Sequence, residues 1–398
     1  MEKIKIEILP NLYLNEDGTF NKNDAMNLSG KIAGVCYDKE GFNNLKNEPE
    51  EKTIKRINLT LNNGHHSVYD HIVINLNIQN IPKILAMVLN NEKQYTTSEK
   101  SARYTPVVKS NNSVITDREE FLYNKWLNIF NIKIKEEYSN IYNDSKIKKL
   151  SLENARYLVT VFMPTQMIYS TTLRQINYIS SWMREYIKNV NLDNSFEIKL
   201  ANSMQDFINE LEKLNVLDDK LMINEKFRKI SLFGENLENK KDYFGSVYSC
   251  LYKGTFSQLA QAQRHRTINY QMQFLNNKEY FVPPILLDDQ KLVDEWLNDI
   301  NSISDVIPQG QLILISEEGT YDNFILKCKE RLCSSAQLEI MLQTKKTLLK
   351  YKDELEKSNN YLFNDIKQYT NGARCTFPDF KCLSNCKFAE GKKLSRKI

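Results

Sequence analysis

Glycine is scarce in this chain, 12 of 398 residues, and histidine scarcer still, at 4. The few glycines form neither a P-loop nor a dinucleotide-binding fingerprint. No Gly-x-Ser-x-Gly elbow occurs either, which excludes the commonest hydrolase nucleophile. No apolar run approaches about 18 residues, so no membrane span is expected. The opening stretch MEKIKIEILPNLYL has no long apolar core and no small-residue cleavage site, so it reads as no signal peptide and points to the cytoplasm. Charge of one sign is also lacking: the net charge of +4 permits an anionic ligand without calling for nucleic acid. What is abundant is aromatic, with 21 Tyr and 18 Phe beside a hydrophobic fraction of 41% and a charged fraction of 26%. That is the composition of a folded chain, and its length suits two domains.

The 7 cysteines are an odd number and fit a reducing compartment. Cys375, Cys382 and Cys386 cluster near the end with spacing C-x6-C-x3-C. A zinc site wants tighter pairs and a fourth ligand, so they read as thiols in a partly buried tail.

The chain repeats one grammar. HIVINLNIQ (71–79) alternates Ile72, Ile74, Leu76 and Ile78 against Asn75, Asn77 and Gln79, a strand. Pro82 then opens a helix with apolar Ile84, Leu85, Met87 and Val88, which runs into the polar segment NNEKQYTTSEKSARY (90–104). Later, GSVYSCLYKG (245–254) reads as a strand and TFSQLAQAQ (255–263) as a capped helix, running into RHRTINYQMQF. Both parts end with Glu-Ile ahead of a long amphipathic helix, in 195–214 and 336–355. This predicts a tandem duplication into 1–219 and 220–398, each an α/β or α+β unit.

Three strings invite chemistry. Arg264-His265-Arg266 points three ways on a helix, but at a helix end its guanidinium forks converge on a ligand. Alone it reads equally as a solvated basic helix end. His65, His66 and His71 lack the spacing of a helical metal pair, so no metal is expected. A buried, hydrogen-bonded histidine at a strand entrance is the plain reading. Ser101-Ala102-Arg103-Tyr104 has the parts of a phosphate cradle, though by itself it reads as a turn.

Together these strings resemble the flavin-dependent thymidylate synthases. That family carries a Gln shortly before Arg-His-Arg, then a Ser-Gly/Ala-Arg-Tyr string. It also has His-x-Ser/Thr-x-x-Glu-His upstream, and Ala-Arg and an Arg ahead of Ala-Gln-x-Glu-Ile downstream. Here the pattern is split. The first half keeps His65, Ser67, Asp70 and His71, then Glu99, Ser101, Ala102, Arg103 and Tyr104, then Ala155-Arg156. Where the triplet belongs it has Asn91-Glu92-Lys93, with Val88 in place of the Gln. The second half keeps Gln261, Arg264, His265, Arg266 and Arg331 ahead of Ala336-Gln337-Leu338-Glu339-Ile340. It has Phe274 at the place of the Ser and Ser304 at the place of the Arg of Ala-Arg.

The resemblance implies one composite site per chain, two thymidylate-synthase-complementing-type domains with mostly antiparallel sheets flanked by helices, and a homodimer mimicking the family's tetramer. It implies FAD held by Arg264, His265, Arg266, Ser67 and His65. It implies dUMP held by Gln261, Glu99, Ser101, Ala102, Arg103, Arg156 and Arg331. Arg331, His65 and Ser101 would act in the chemistry, the reductive methylation of dUMP to dTMP with methylenetetrahydrofolate and NADPH. Two other readings stay open: transfer of a different one-carbon group to dUMP, and a non-catalytic paralogue that binds nucleotide or RNA.

Overall fold

The computed structural model describes residues 3–101, 114–223, 228–378, 380–382, 386, 388 and 392–398. Period-two alternation builds the first sheet. In β2 (Val73–Pro82) Ile74, Leu76 and Ile78 are fully buried, and the strand pairs with β1 (Lys5–Ile8) and β4 (Pro164–Thr172). β3 (Thr96–Glu99) joins the far side of β4, giving the antiparallel order β1-β2-β4-β3. The second sheet holds β5 (Tyr243–Phe244), β6 (Val247–Thr255), β7 (Asn269–Phe274) and β8 (Leu312–Thr320) in the matching order β5-β6-β8-β7.

The registers match as well as the order. Val73 faces Thr172 as Val247 faces Thr320, and Pro82 faces Pro164 as Thr255 faces Leu312. Thr96 faces Ser170 as Asn269 faces Glu318. The one difference is an irregularity between Ile78 and Ile81, where the 10-residue β2 absorbs one residue more than the 9-residue β6. Helices follow in parallel. Lys83–Leu89 and Phe256–Ala262 leave the second strand of each sheet. Leu173–Lys188 and Tyr321–Arg331 leave the last, capped by Thr172 and Thr320, whose hydroxyls accept from Gln175 N–H and Asn323 N–H. Ser195–Lys213 and Leu338–Lys357 close the two series, as the Glu-Ile strings predict.

The expected strands at 71–79 and 245–254 and the helices after them are present. β3 and β7 were not expected. Their sequences are polar, and only pairing to β4 and β8 makes Tyr270 and Met272 alternate inward.

The chain folds into two compact units that cross the predicted seam at 219/220. One comprises 1–100 and 164–231, the other 101–163 and 232–398. Residues 101–163 join the second unit because their helix Asp117–Tyr138 shares a core with Gln290–Asn301. Trp126 meets Trp296 edge-on at 4.9 Å, and Phe130 meets Trp296 at 5.5 Å. Asp299 accepts from Trp126 Nε1 at 2.8 Å and from Lys125 Nζ at 2.5 Å, with Arg118 Nη2 at 3.4 Å. Deeper in this unit two segments meet reciprocally. Gln309 N–H donates to Val159 O at 2.8 Å, and Val161 N–H donates to Ile307 O at 3.0 Å.

Asp299→Ala strands the buried Trp126 indole N–H and leaves Lys125 with Glu295 as its remaining partner. It should lower stability by about 3 kcal/mol in a denaturant titration. Asp144→Ala, which removes an exposed partner 3.7 Å from Lys135, should change it by less than about 0.5 kcal/mol.

Candidate functional site

In the second unit Thr255 caps the helix Phe256–Ala262 through its hydroxyl, which accepts from Gln258 N–H at 3.0 Å. The helix ends before the triplet, and the turn from Gln263 into β7 separates the three side chains. His265 is buried while Arg264 and Arg266 are exposed on either side of it. The triplet therefore sits at a helix end where the chain turns, the geometry that lets guanidinium forks face a ligand.

His265 has a defined partner. Arg331 Nε donates to His265 Nε2 at 2.6 Å, and Arg331 Nη2 donates to Gln261 O at 3.3 Å. Arginine has no acceptor, so Nε2 must offer its lone pair. Burial, then the charges of Arg331 and Lys327, push the imidazole down to about 2. It is therefore neutral, with its proton on Nδ1, on the side where Glu330 stands at 3.9 Å.

Lys327 lies one turn before Arg331 on the same helix and is fully buried. It donates to Glu317 Oε2 at 2.6 Å, and Glu317, itself fully buried, also accepts from Tyr248 at 2.7 Å and Tyr252 at 2.8 Å. Three donors on one buried carboxylate fix the helix that presents Arg331.

Arg156 belongs to the same unit and is 5% exposed. Its Nε and Nη2 are buried without a hydrogen-bond partner. Next to it, Tyr157 donates to Glu339 Oε2 at 3.0 Å and accepts from Gln337 Nε2 at 2.9 Å. Glu339 also accepts from Thr255 N–H at 2.8 Å and the Thr255 hydroxyl at 2.7 Å. Desolvation raises the Glu339 carboxyl, and these hydrogen bonds oppose it. So Ala155-Arg156, the helix bearing Gln261, and the string Ala336–Ile340 meet at one buried carboxylate.

Other expected residues lie elsewhere. His65 and Ser67 are exposed in the first unit. Glu99, also in the first unit, takes an ion pair from Lys83 Nζ at 2.6 Å. Ser101 is half-buried at the start of the second unit, while Ala102 and Arg103 lie outside the described residues. His66 is the buried histidine at the strand entrance, 3.0 Å from the Tyr178 hydroxyl and 3.1 Å from Leu61 O. Tyr157, Glu317 and Lys327 were not anticipated, because their partners are remote in sequence and no local pattern announces them.

The first unit has different residues at the matching positions. Val88 stands for Gln261, Glu92 for His265 and Met183 for Arg331. Glu92 is fully buried, paired with Arg228, and accepts from Ser231 N–H at 2.7 Å. Arg228 stacks 3.8 Å above the Trp182 ring.

Together the sheets and helices define a mixed α+β fold of two similar antiparallel sheets. Residues 20–183 match the family described as thymidylate synthase complementing protein, Thy1. A flavin-dependent thymidylate synthase of Pyrococcus furiosus is 24% identical over 150 residues, 36% of this chain and 57% of that protein. The match thus spans little more than half of that relative. Falcipain-2b of Plasmodium falciparum is 26% identical over 194 residues, 48% of this chain and 35% of that protein. Among solved structures, thymidylate synthase X from Helicobacter pylori with FAD and dUMP overlaps with a TM-score of 0.32 at 16% identity, covering 55% of this chain and 99% of that one. The UMP/dUMP methylase PolB from Streptomyces cacaoi bound with 5-Br dUMP gives 0.31 at 16% identity, covering 55% and 93%. The likeness of this chain to that family rests on residues 20–183.

The His265 environment makes a pH prediction. Its folded value lies below its unfolded one, so the stability it contributes is complete above about 6.5 and is lost as pH falls toward 2. Between pH 6.5 and 5, wild-type unfolding free energy should fall by about 1.4 kcal/mol per pH unit from this group. His265→Gln should flatten that limb in denaturant titrations at stepped pH.

Proposed function

We propose that this protein is a flavin-dependent enzyme that converts dUMP to dTMP, with methylenetetrahydrofolate as carbon donor and NADPH as reductant. The observation that carries the proposal is the content of the second unit. It gathers Arg156 from the first sequence half with Gln261, the triplet and Arg331 from the second. The guanidinium of Arg156, buried with donors unmet, is a costly arrangement unless an acceptor arrives. A nucleotide phosphate is such an acceptor.

The residues present fit FAD. Exposed Arg264 and Arg266 flank a neutral imidazole, a surface that favours a pyrophosphate without placing a third charge in the core. The flavin, when bound, supplies the redox chemistry that no side chain here supports. The chain's own share is positioning and charge. Arg331, oriented by His265 and by Gln261 O, would face the uracil carbonyl and steady negative charge as C5 becomes nucleophilic. The Gln261 side chain would orient the ring, and Arg156 would fix the phosphate end.

We further infer that the chain is a tandem duplication. Matched strand order and register support this, as do the reciprocal bonds between 159–161 and 307–309, the pattern of two equivalent segments about a local two-fold. A homodimer of such chains would stand for four family subunits.

The purified chain with added FAD should show flavin bands that shift when dUMP is added, and should form dTMP with methylenetetrahydrofolate and NADPH. Arg264→Ala should remove bound flavin. Arg156→Ala should leave flavin bound and weaken dUMP about 10- to 100-fold, the loss of one charged contact of about 1.4–3 kcal/mol. Normal flavin content in Arg264→Ala would sink the assignment of the triplet. A flavin-free chain that binds RNA in a salt-dependent way would sink the enzyme reading itself.

A further inference from the structure

The stretch 392–398 of the second unit takes no part in the proposed chemistry, yet it is built into the core. Its sequence KKLSRKI is basic and by composition belongs in water. Instead every second residue turns inward: Leu394 is 3% exposed, Arg396 2% and Ile398 1%. Lys393 and Ser395 face solvent between them. The strap is held along its length. Ala373 N–H donates to Lys392 O at 2.8 Å. Lys345 Nζ donates to Lys393 O at 3.4 Å and to Leu394 O at 3.2 Å. Lys397 N–H donates to the Tyr138 hydroxyl at 3.2 Å, and its ammonium pairs with Glu137 at 3.4 Å and with Asp288.

Burying a guanidinium is costly unless its donors are met. Arg396 Nη2 donates to Ala336 O at 2.5 Å, Nη1 donates to Ile398 O, and Nε points at Met341 Sδ, 3.5 Å away. Ala336 closes the short link from Arg331 to the helix Leu338–Lys357. That link is two tight turns. Cys333 N–H donates to Arg331 O at 2.9 Å, and Ala336 N–H donates to Cys333 O at 3.0 Å. At the other end Arg374 N–H donates to Leu332 O at 2.7 Å, and Arg374 Nη1 donates to Lys329 O at 3.3 Å. Two arginines thus hold a link that has no slack. A displacement of Ala336 passes into the Arg331 backbone, and a misplacement of about 1 Å can cost about a hundredfold in rate.

We propose that Arg396 is a positioning residue for Arg331. It fixes Ala336, and through the two turns it sets where the Arg331 guanidinium lies against His265 and the nucleotide. The consequence for turnover rests on the reading of Arg331 as the group that faces the uracil. The placement itself does not, because His265 reports it without flavin or substrate: its Nε2 accepts from Arg331 Nε at 2.6 Å.

The test compares the full-length wild-type chain with Arg396→Met, which keeps an unbranched side chain of similar length and removes the donors. With only 4 histidines, the ring nitrogen spectrum of histidine-labelled protein resolves His265. In Arg396→Met the His265 Nε2 resonance should move toward that of an imidazole without a donor. His66, bonded in the first unit to Tyr178 and Leu61 O, should stay where it is. Flavin content should not change, while kcat for dTMP formation should fall about tenfold or more. Arg396→Lys, which can still donate to Ala336 O, should restore both part of the way. Should Arg396→Met not fold, Lys345→Ala, which frees the Lys393 and Leu394 carbonyls, is measured in the same way. A His265 resonance that stays at its wild-type position in a folded variant overturns the proposal whatever the rate, since the strap then only stabilises. A resonance that moves while kcat holds upholds the placement and sinks instead the reading of Arg331 as the uracil-facing group.

Discussion

The Glu339 carboxylate is the joint on which the second unit turns. It accepts from Thr255 twice and from Tyr157 once, and it is buried. One bond starts the helix that delivers Gln261 and the triplet. Another holds the residue beside Arg156. An unsatisfied carboxylate at this depth costs several kcal/mol, so these segments are placed together or not at all. Residues from both sequence halves thus meet at one buried anion, beside the aromatic core that Trp126 and Trp296 share.

Charge is ordered around the same body with little slack. Lys327 is neutralised by Glu317, so its helix can lie in the core and still carry Arg331 at its end. Burial first, and then two nearby cations, keep the His265 imidazole neutral, which lets it accept from Arg331 instead of repelling it. Positive charge is left where solvent reaches it, on Arg264 and Arg266. The first unit has a different arrangement at the matching positions. Glu92 occupies the histidine's position and is closed off by Arg228 and Ser231, with Met183 buried where the second unit has Arg331.

Much of the fold was legible because it is local. The alternation of Ile74, Leu76 and Ile78, the turn after Gln263, and the paired Glu-Ile helices are all short-range signals. His66 was readable as a buried histidine for the same reason. The polar strands β3 and β7 were not readable, since only their partners make them strands. The unit boundaries were hidden too, because 101–163 joins the second unit through Trp126, Trp296 and Asp299, contacts that no local pattern encodes. The candidate site was legible as residue types. Its supports, Tyr157, Glu317 and Lys327, were not.

The central claim is that one complete nucleotide site survives in each chain, carried by the second unit. Calorimetric titration of dUMP into flavin-loaded protein counts those sites directly. The account predicts one dUMP per chain, with the count falling toward zero in Arg156→Ala at the same concentrations. Two equivalent sites per chain would contradict it, because the first unit would then bind nucleotide despite Val88, Glu92 and Met183.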